Sequence, residues 1–338
     1  CALPILDVMQ FTQALSRIWV LETRLLDKTK VERMLEANSA DEVLKILGET
    51  EYANIMGNIK RAADYEEILS TELKRVYKLV YELCPVKEIV DLMSTKYKYH
   101  NIKVLLKGKF LEKDLSNMLI DLGREDLNEL KRKIDTDNFR DLKGNVEKAV
   151  LEVISDFEAN KDPQKIDIIV DRYMFKELDE IKKSLNYKFT DKLVNAMIDS
   201  TNVRTLLRVK KQGKGREFAS EVLVTGGAIS KDTLVAIINE TPENIISKLS
   251  TSIYSDLIKE GVESYIATNS ANLLEKLSDN YIMDLMKSGK LVTFGPERIL
   301  SYIYAKETEI KIIRIIMVGK LNNITEEVIR ERLRDIYV

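Results

Sequence analysis

The sequence predicts an all-α fold made of three similar helical units, and three observations carry that expectation. Leu, Ile, Lys and Glu dominate the 338 residues, a composition that favours long helices. Only 13 Gly and 5 Pro punctuate that length, too few for the tight turns of a strand-rich fold. One signature also recurs at intervals of about one hundred residues. It reads Asn101-Ile102-Lys103-Val104-Leu105-Leu106-Lys107, then Asn202-Val203-Arg204-Thr205-Leu206-Leu207-Arg208, then Glu309-Ile310-Lys311-Ile312-Ile313-Arg314-Ile315, where the closing base comes one place early.

The elements follow in chain order. An opening helix carries Arg17, Glu22 and Arg24, with Glu22 expected first to pair with one of the two arginines and second to contact a partner, while Phe11 and Trp19 read as core or helix-docking residues. Ser39, followed by Glu42 three places on, spells a capping box in which each residue satisfies the other's amide. A charge-laced helix from Tyr65 to Leu83 is halted by Pro85, and the first signature follows it. In that signature Lys103 and Lys107 are four apart and share one helix face, with Ile102, Leu105 and Leu106 on the adjoining apolar side.

In the middle unit the cap position is degenerate, Asp121-Leu122-Gly123-Arg124-Glu125-Asp126, and a helix from Gly144 to Asn160 stops before Pro163. The second signature repeats the i, i+4 bases as Arg204 and Arg208. Thr241 before Pro242 places a cap ahead of a proline at the first helical position. The strand-like Leu291-Val292-Thr293-Phe294 is too brief and isolated to build a sheet, and Thr325-Glu326-Glu327 opens a last short helix. Glycines and flexible polar residues near Gly108 and from Gln212 to Gly215 suggest units at 1–108, 109–213 and 214–338, each with about five or six helices.

Composition and motif counting exclude several function classes. With 53 Lys plus Arg against 55 Asp plus Glu, a net charge of -2, the chain lacks the overall basicity of a nucleic-acid binder. A single histidine, His100, leaves no base for a nucleophilic triad other than itself, and it reads as structural. His and Cys are too few for a metal site, and the carboxylates are spread at helix-surface spacing. Gly108-Lys109, Gly289-Lys290 and Gly319-Lys320 lack the earlier glycine and the hydroxyl of a phosphate-cradling loop, so no ATP hydrolysis is expected. No catalytic, cofactor or metal residue is therefore assigned.

Two cysteines, Cys1 and Cys84, cannot make a disulfide framework, which points to a reduced, intracellular protein; Cys1-Ala2-Leu3-Pro4-Ile5 reads as a truncation or cloning remnant. The greasiest run, Ile312 to Val318, is short and broken by Arg314, and Asp7 denies the N-terminus the apolar stretch of a signal, so no membrane span and no cleavable leader are expected. One local patch stands out. Asn202 to Arg216 holds six bases (Arg204, Arg208, Lys210, Lys211, Lys214, Arg216) and no acid, which reads first as a solvated helix end and second as a contact for an acidic partner or lipid headgroups. It lacks the aromatics that would stack RNA bases.

The chain resembles the C subunits of bacterial and archaeal V/A-type rotary ATPases, the counterparts of the d subunit in the eukaryotic vacuolar enzyme. The residues that carry the resemblance run from Ala14-Leu15-Ser16-Arg17-Ile18-Trp19 through Tyr97-Lys98-Tyr99-His100-Asn101 and Asp199-Ser200-Thr201-Asn202 to Lys306-Glu307-Thr308-Glu309 and the closing Arg332-Leu333-Arg334-Asp335-Ile336-Tyr337-Val338. The resemblance implies three helical units around a pseudo-threefold axis, forming a funnel with a central cavity. It also implies a non-catalytic socket that couples the central stalk to the membrane rotor ring and transmits torque, peripheral to the cytoplasmic face of the membrane, with no nucleic acid, cofactor or small-molecule substrate.

On that reading Asn101, Lys103, Lys107, Asn202, Arg204, Arg208, Glu309, Lys311 and Arg314 are the candidate partner-binding residues bordering the opening; the alternative is that they only satisfy local backbone groups and packed acids. Glu309 in place of Asn, and the displaced Arg314, argue against equal roles for the three copies. A free-standing helical scaffold is the competing reading, although a period near one hundred with three copies suits a closed assembly better than a solenoid. An enzyme with an acidic metal site ranks last, for want of clustered carboxylates.

Overall fold

The computed structural model describes residues 6–58 and 61–338. Sixteen α-helices form among them: α1 (Thr12–Glu22), α2 (Lys28–Glu36), α3 (Ala40–Leu47), α4 (Tyr65–Leu83), α5 (Lys87–Phe110), α6 (Leu127–Asp135), α7 (Gly144–Asn160), α8 (Pro163–Leu185), α9 (Lys188–Lys211), α10 (Arg216–Val222), α11 (Lys231–Ala236), α12 (Pro242–Lys248), α13 (Ser255–Thr268), α14 (Asn272–Ser288), α15 (Glu297–Leu321) and α16 (Glu326–Arg332). Short 3-10 turns join several of them, and no strand occurs among the described residues. The chain is all-α. Cys1-Ala2-Leu3-Pro4-Ile5 lies outside the described residues.

The stops and caps are where local chemistry puts them. Helix α4 ends at Leu83, two residues before Pro85, which has no N–H to continue the ladder. Helix α7 ends with Lys161 in the left-handed region (φ 53°), and Asp162 then caps α8 by accepting the Gln164 N–H at 2.9 Å, with Pro163 at the first helical position. Ser39 caps α3 by accepting the Glu42 N–H at 3.3 Å, but Glu42 returns to the amide of Asn38 (2.7 Å), one residue earlier than a capping box predicts. Thr241 caps α12 through the Asn244 N–H, whereas Thr325 makes no such bond and α16 starts without a side-chain cap.

Two compact bodies divide the chain. The central body takes Ser94–Ile120 and Glu125–Ser278, and the terminal body takes Asp7–Met93, Asp121–Arg124 and Asp279–Val338. In the central body α5, α6, α7 and α8 share a core of Tyr99, Ile102, Leu106, Ala149, Val150, Ile166 and Val170, with the Phe110 and Phe157 rings stacked at 4.1 Å between centroids. In the terminal body α15 is buried nearly all round, against α1, α3 and α4, and its apolar run Ile312, Ile313, Ile316 and Met317 is core. No helix among the described residues is long and apolar enough to cross a membrane.

Candidate functional site

The three signatures lie in the second half of long buried helices, and in each the leading polar residue grips a backbone segment. Asn101 on α5 donates its amide to the Ile120 carbonyl and accepts the Ile120 N–H, both at 2.8 Å. Asn202 on α9 does the same to Val224, at 2.9 Å in each direction. Both side chains are buried. An amide is suited to this because it carries donor and acceptor side by side, matching the N–H and C=O of one residue that lies outside any helix. The gripped residue stands six positions before a helix cap in both cases, Asp126 for α6 and Ser230 for α11.

The terminal body holds the third grip, and its chemistry differs. Glu309 on α15 accepts the Leu26 N–H at 2.6 Å on one carboxylate oxygen, and the Tyr52 hydroxyl (2.7 Å) and the Lys306 ammonium (2.8 Å) on the other. Leu26 directly precedes Asp27, the cap of α2. Lys306 is fully buried and also reaches Glu72 at 3.0 Å and Glu51 at 3.5 Å, while Arg75 binds Glu72 at 2.7 Å and Glu51 at 3.2 Å. Arg24 adds a third cation on Glu51, so three carboxylates meet three cations.

Burial opposes the charge on Lys306, but Glu309 and Glu72 outweigh it and hold the ammonium well above its usual pKa. Burial likewise opposes Glu72, and Arg75 and Lys306 overcome it, leaving its carboxyl below the usual range. Tyr302 beside them is pushed up to about 12, chiefly by burial.

The signature bases are spent on acids of a neighbouring helix. Lys103 pairs with Asp171 (2.8 Å) and Lys107 with Asp167 (2.7 Å), so an i, i+4 pair of bases on α5 meets an i, i+4 pair of acids on α8. Arg204 and Arg208 converge on Glu275 of α14 at 3.6 and 3.2 Å. Arg314 pairs with Glu66 of α4 at 2.7 Å, and Lys311 with Asp279. Arg208, Lys311 and Arg314 keep the most exposed side chains of the nine candidates, at 63%, 44% and 46%.

The basic stretch after Asn202 closes helix ends. Lys211 binds the Asn269 carbonyl at the end of α13 and Arg216 that of Ala236 at the end of α11, so these cations sit on electronegative helix ends, while Lys210 binds the Ile238 and Glu240 carbonyls in the turn between α11 and α12. His100 meets the Met118 carbonyl at 2.9 Å, a structural role. Cys84 is buried and free, its thiol pushed up to about 11 by burial. No cluster of metal-ligating side chains occurs among the described residues.

Two expectations need correction. Glu22 pairs with neither Arg17 nor Arg24: it holds Arg298 at 3.3 Å and accepts the Tyr337 hydroxyl at 2.8 Å, partners more than 270 residues away that helix periodicity does not report. Trp19 is no core residue. It is 47% exposed with the Arg298 guanidinium 5.0 Å over its ring, while Phe11 is buried as expected.

Sequence reasoning missed the cluster of Glu51, Glu72, Arg75 and Lys306. The available signal was Lys306 three residues before Glu309, flanked by the apolar Tyr302, Ile303, Ile310, Ile312 and Ile313, where charges need partners. Asp199, three residues before Asn202, was missed too: it accepts the Ala228 and Ile229 N–H groups at 2.8 and 3.1 Å. A Cβ added at Gly227 would lie 2.1 Å from its carboxylate oxygen, so only glycine fits there.

The comparisons with known proteins agree with this architecture. The sequence model described as ATP synthase (C/AC39) subunit matches residues 14–332. The chain is 31% identical over 318 residues to the C subunit of the V-type sodium ATPase of Enterococcus hirae, covering 94% of this chain and 95% of that protein. It is 25% identical to the C subunit of the A-type ATP synthase of Methanocaldococcus jannaschii, covering 97% and 87%, and 26% identical to that of Methanobrevibacter smithii, covering 94% and 86%.

Proposed function

The chain belongs to the ATP synthase (C/AC39) subunit family, as a non-catalytic accessory component of the rotary motor, and we propose that it is the socket between central stalk and membrane rotor ring. Three helical units, 1–108, 109–213 and 214–338, stand around a pseudo-threefold axis as a funnel. The opening takes the foot of the stalk, and the narrow end rests on the ring at the cytoplasmic face of the membrane. Torque passes through the funnel without any bond being broken on it.

The observation that supports this reading is the order of the three grips. Asn101 holds the segment leading into α6, Asn202 the segment leading into α11, and Glu309 the segment leading into α2, back at the start of the chain. The signature bases keep the same order, from α5 to α8, α9 to α14 and α15 to α4. A cyclic order of this kind suits a closed socket better than an open array. In it Asn101, Asn202 and Glu309 hold the units together, Lys103, Lys107 and Arg204 brace them, and the more exposed Arg208, Lys311 and Arg314 are the partner-facing positions.

Copurification with a two-helix central-stalk subunit and with detergent-solubilised rotor ring, at low and high salt, tests the proposal. Binding to both is expected, and Arg208→Glu with Arg314→Glu should weaken it while thermal unfolding moves little, because exposed pairs contribute at most about 1 kcal/mol. Binding to neither partner would overturn the socket.

A further inference from the structure

The three grips differ most in the length of chain they close. Asn101 reaches a residue 19 positions away and Asn202 one 22 positions away, but Glu309 reaches Leu26 across 283 positions. Loop-closure entropy makes the last encounter roughly fifty-fold rarer than the other two in a flexible chain. An amide grip reads only a backbone N–H and C=O, which nearly every residue offers. Placed at position 309, it would accept the Ile120 or Val224 segment as readily as the Leu26 segment, and those are the targets its two sisters already seek. Repeats of similar chemistry misassemble in this way.

Glu309 cannot be satisfied so cheaply. Its second oxygen needs the Tyr52 hydroxyl, and the Lys306 it is bound to needs Glu72 and Glu51, which in turn hold Arg75. Buried ion clusters add little net stability over apolar packing but are costly whenever one partner is missing, so they select a partner more than they strengthen it. The segments around Ile120 and Val224 offer a different set: Asn101 and Asn202 grip them, and the acids that meet the signature bases there, Asp171 and Glu275, already have partners.

We propose that the buried Glu309, Lys306, Glu72, Glu51 and Arg75 cluster, with Tyr52, is an identity lock by which the end of the chain selects its own beginning over the two competing repeat segments. The proposal rests on the three-copy reading given above and adds to it a reason why the third copy departs from the Asn of the others. Closure then has an order: the two short amide grips form first, and the charged grip, which neither the Ile120 nor the Val224 segment satisfies while it is still open, closes last on the one segment that matches it.

The test is the refolding of Glu309→Asn/Lys306→Met, which removes one charge of each sign and gives the third junction the amide of its sisters. Glu72 and Glu51 keep Arg75 and Arg24. Refolded from urea at low and high protein concentration and examined by size exclusion with light scattering, the native chain is expected to return as one species. The variant is expected to lose that uniformity, with an aggregated or oligomeric fraction that grows with concentration. A variant that refolds as cleanly as the native chain at every concentration overturns the lock.

Should the variant not fold, pulse-labelled hydrogen exchange on the native chain decides instead. Protection of the Leu26 amide after those of Ile120 and Val224 is expected, and protection of Leu26 together with them or before them overturns the proposal. Copurification of the native chain with stalk and ring is a separate measurement, so the socket and the lock can fail independently.

Discussion

In the central body an amide satisfies both polar groups of one peptide residue nearby in sequence; in the terminal body a carboxylate satisfies one N–H from the far end of the chain and recruits Tyr52 and Lys306 to its other oxygen. The place of the gripping residue on its helix is shared, and the bonds it makes are not. A neutral grip costs little to desolvate and fails gently, because water or a relaxed backbone can replace part of it. A charged grip in a closed interior depends on every member being present. The same helical signature thus yields a forgiving junction where closure is local and an exacting one where closure is distant.

The largest effect that separates the two regions is expected from Lys306→Met. It leaves Glu72, Glu309 and Glu51 facing one another with Arg75 as the main counter-charge, at a cost of about 3–5 kcal/mol. Urea unfolding followed by circular dichroism measures it. Adding Glu309→Gln should recover much of the loss, since like charge is then removed with the cation. If the single variant is as stable as the native chain, the terminal junction is no more exacting than the central ones.

Asn202→Ala comes next, at about 2–3 kcal/mol, because Val224 is buried and loses the partners of its N–H and C=O together. Asn101→Ala should cost less, about 1 kcal/mol, since Ile120 is only half-buried and water can take over. The same unfolding experiment ranks them. Equal losses would mean that burial of the gripped residue does not set the cost.

The sequence displays some of this comparison and hides the rest for identifiable reasons. Helix ends were legible wherever a local signal existed, as at Pro85, Pro163, Ser39 and Thr241, since caps and prolines act within one turn. The signature helices and their apolar faces were legible through spacing, and Ile102, Leu105 and Leu106 are buried as that spacing requires. The grips themselves were half visible. An Asn between Ile102 and Tyr99 on a buried face must find partners, but the sequence does not say that Ile120 supplies them. Nothing periodic links Glu309 to Leu26 or Glu22 to Arg298, because such contacts are set by how helices far apart in the chain pack. Trp19 was misread for the converse reason: large aromatics are usually covered, and this one stays half-exposed with a guanidinium over its ring.

The smallest expected difference is one of sign in the acid range. The lowered pKa of Glu72 means that the unfolded chain takes up its proton first, so the stability it lends the third junction is present above the ordinary carboxylate pKa and is lost as pH falls through its folded value. Asp199 in the central body runs the other way. Burial raises its pKa in spite of the Ile229 and Ala228 N–H groups, so the folded state takes up the proton first and gains stability as pH falls through the raised value. The grips of Asn101 and Asn202 carry no titrating group.

Native-state hydrogen exchange from pH 7 down through the acid range, corrected for the intrinsic rate, should therefore show the protection of the Leu26 amide level above the ordinary carboxylate pKa and falling below it. That of Val224 should stay level, and that of the Ala228 and Ile229 amides should hold or rise until Asp199 is protonated. Parallel slopes at all these amides would place acid sensitivity in the global unfolding of each body and remove charge as the distinction between the two kinds of junction.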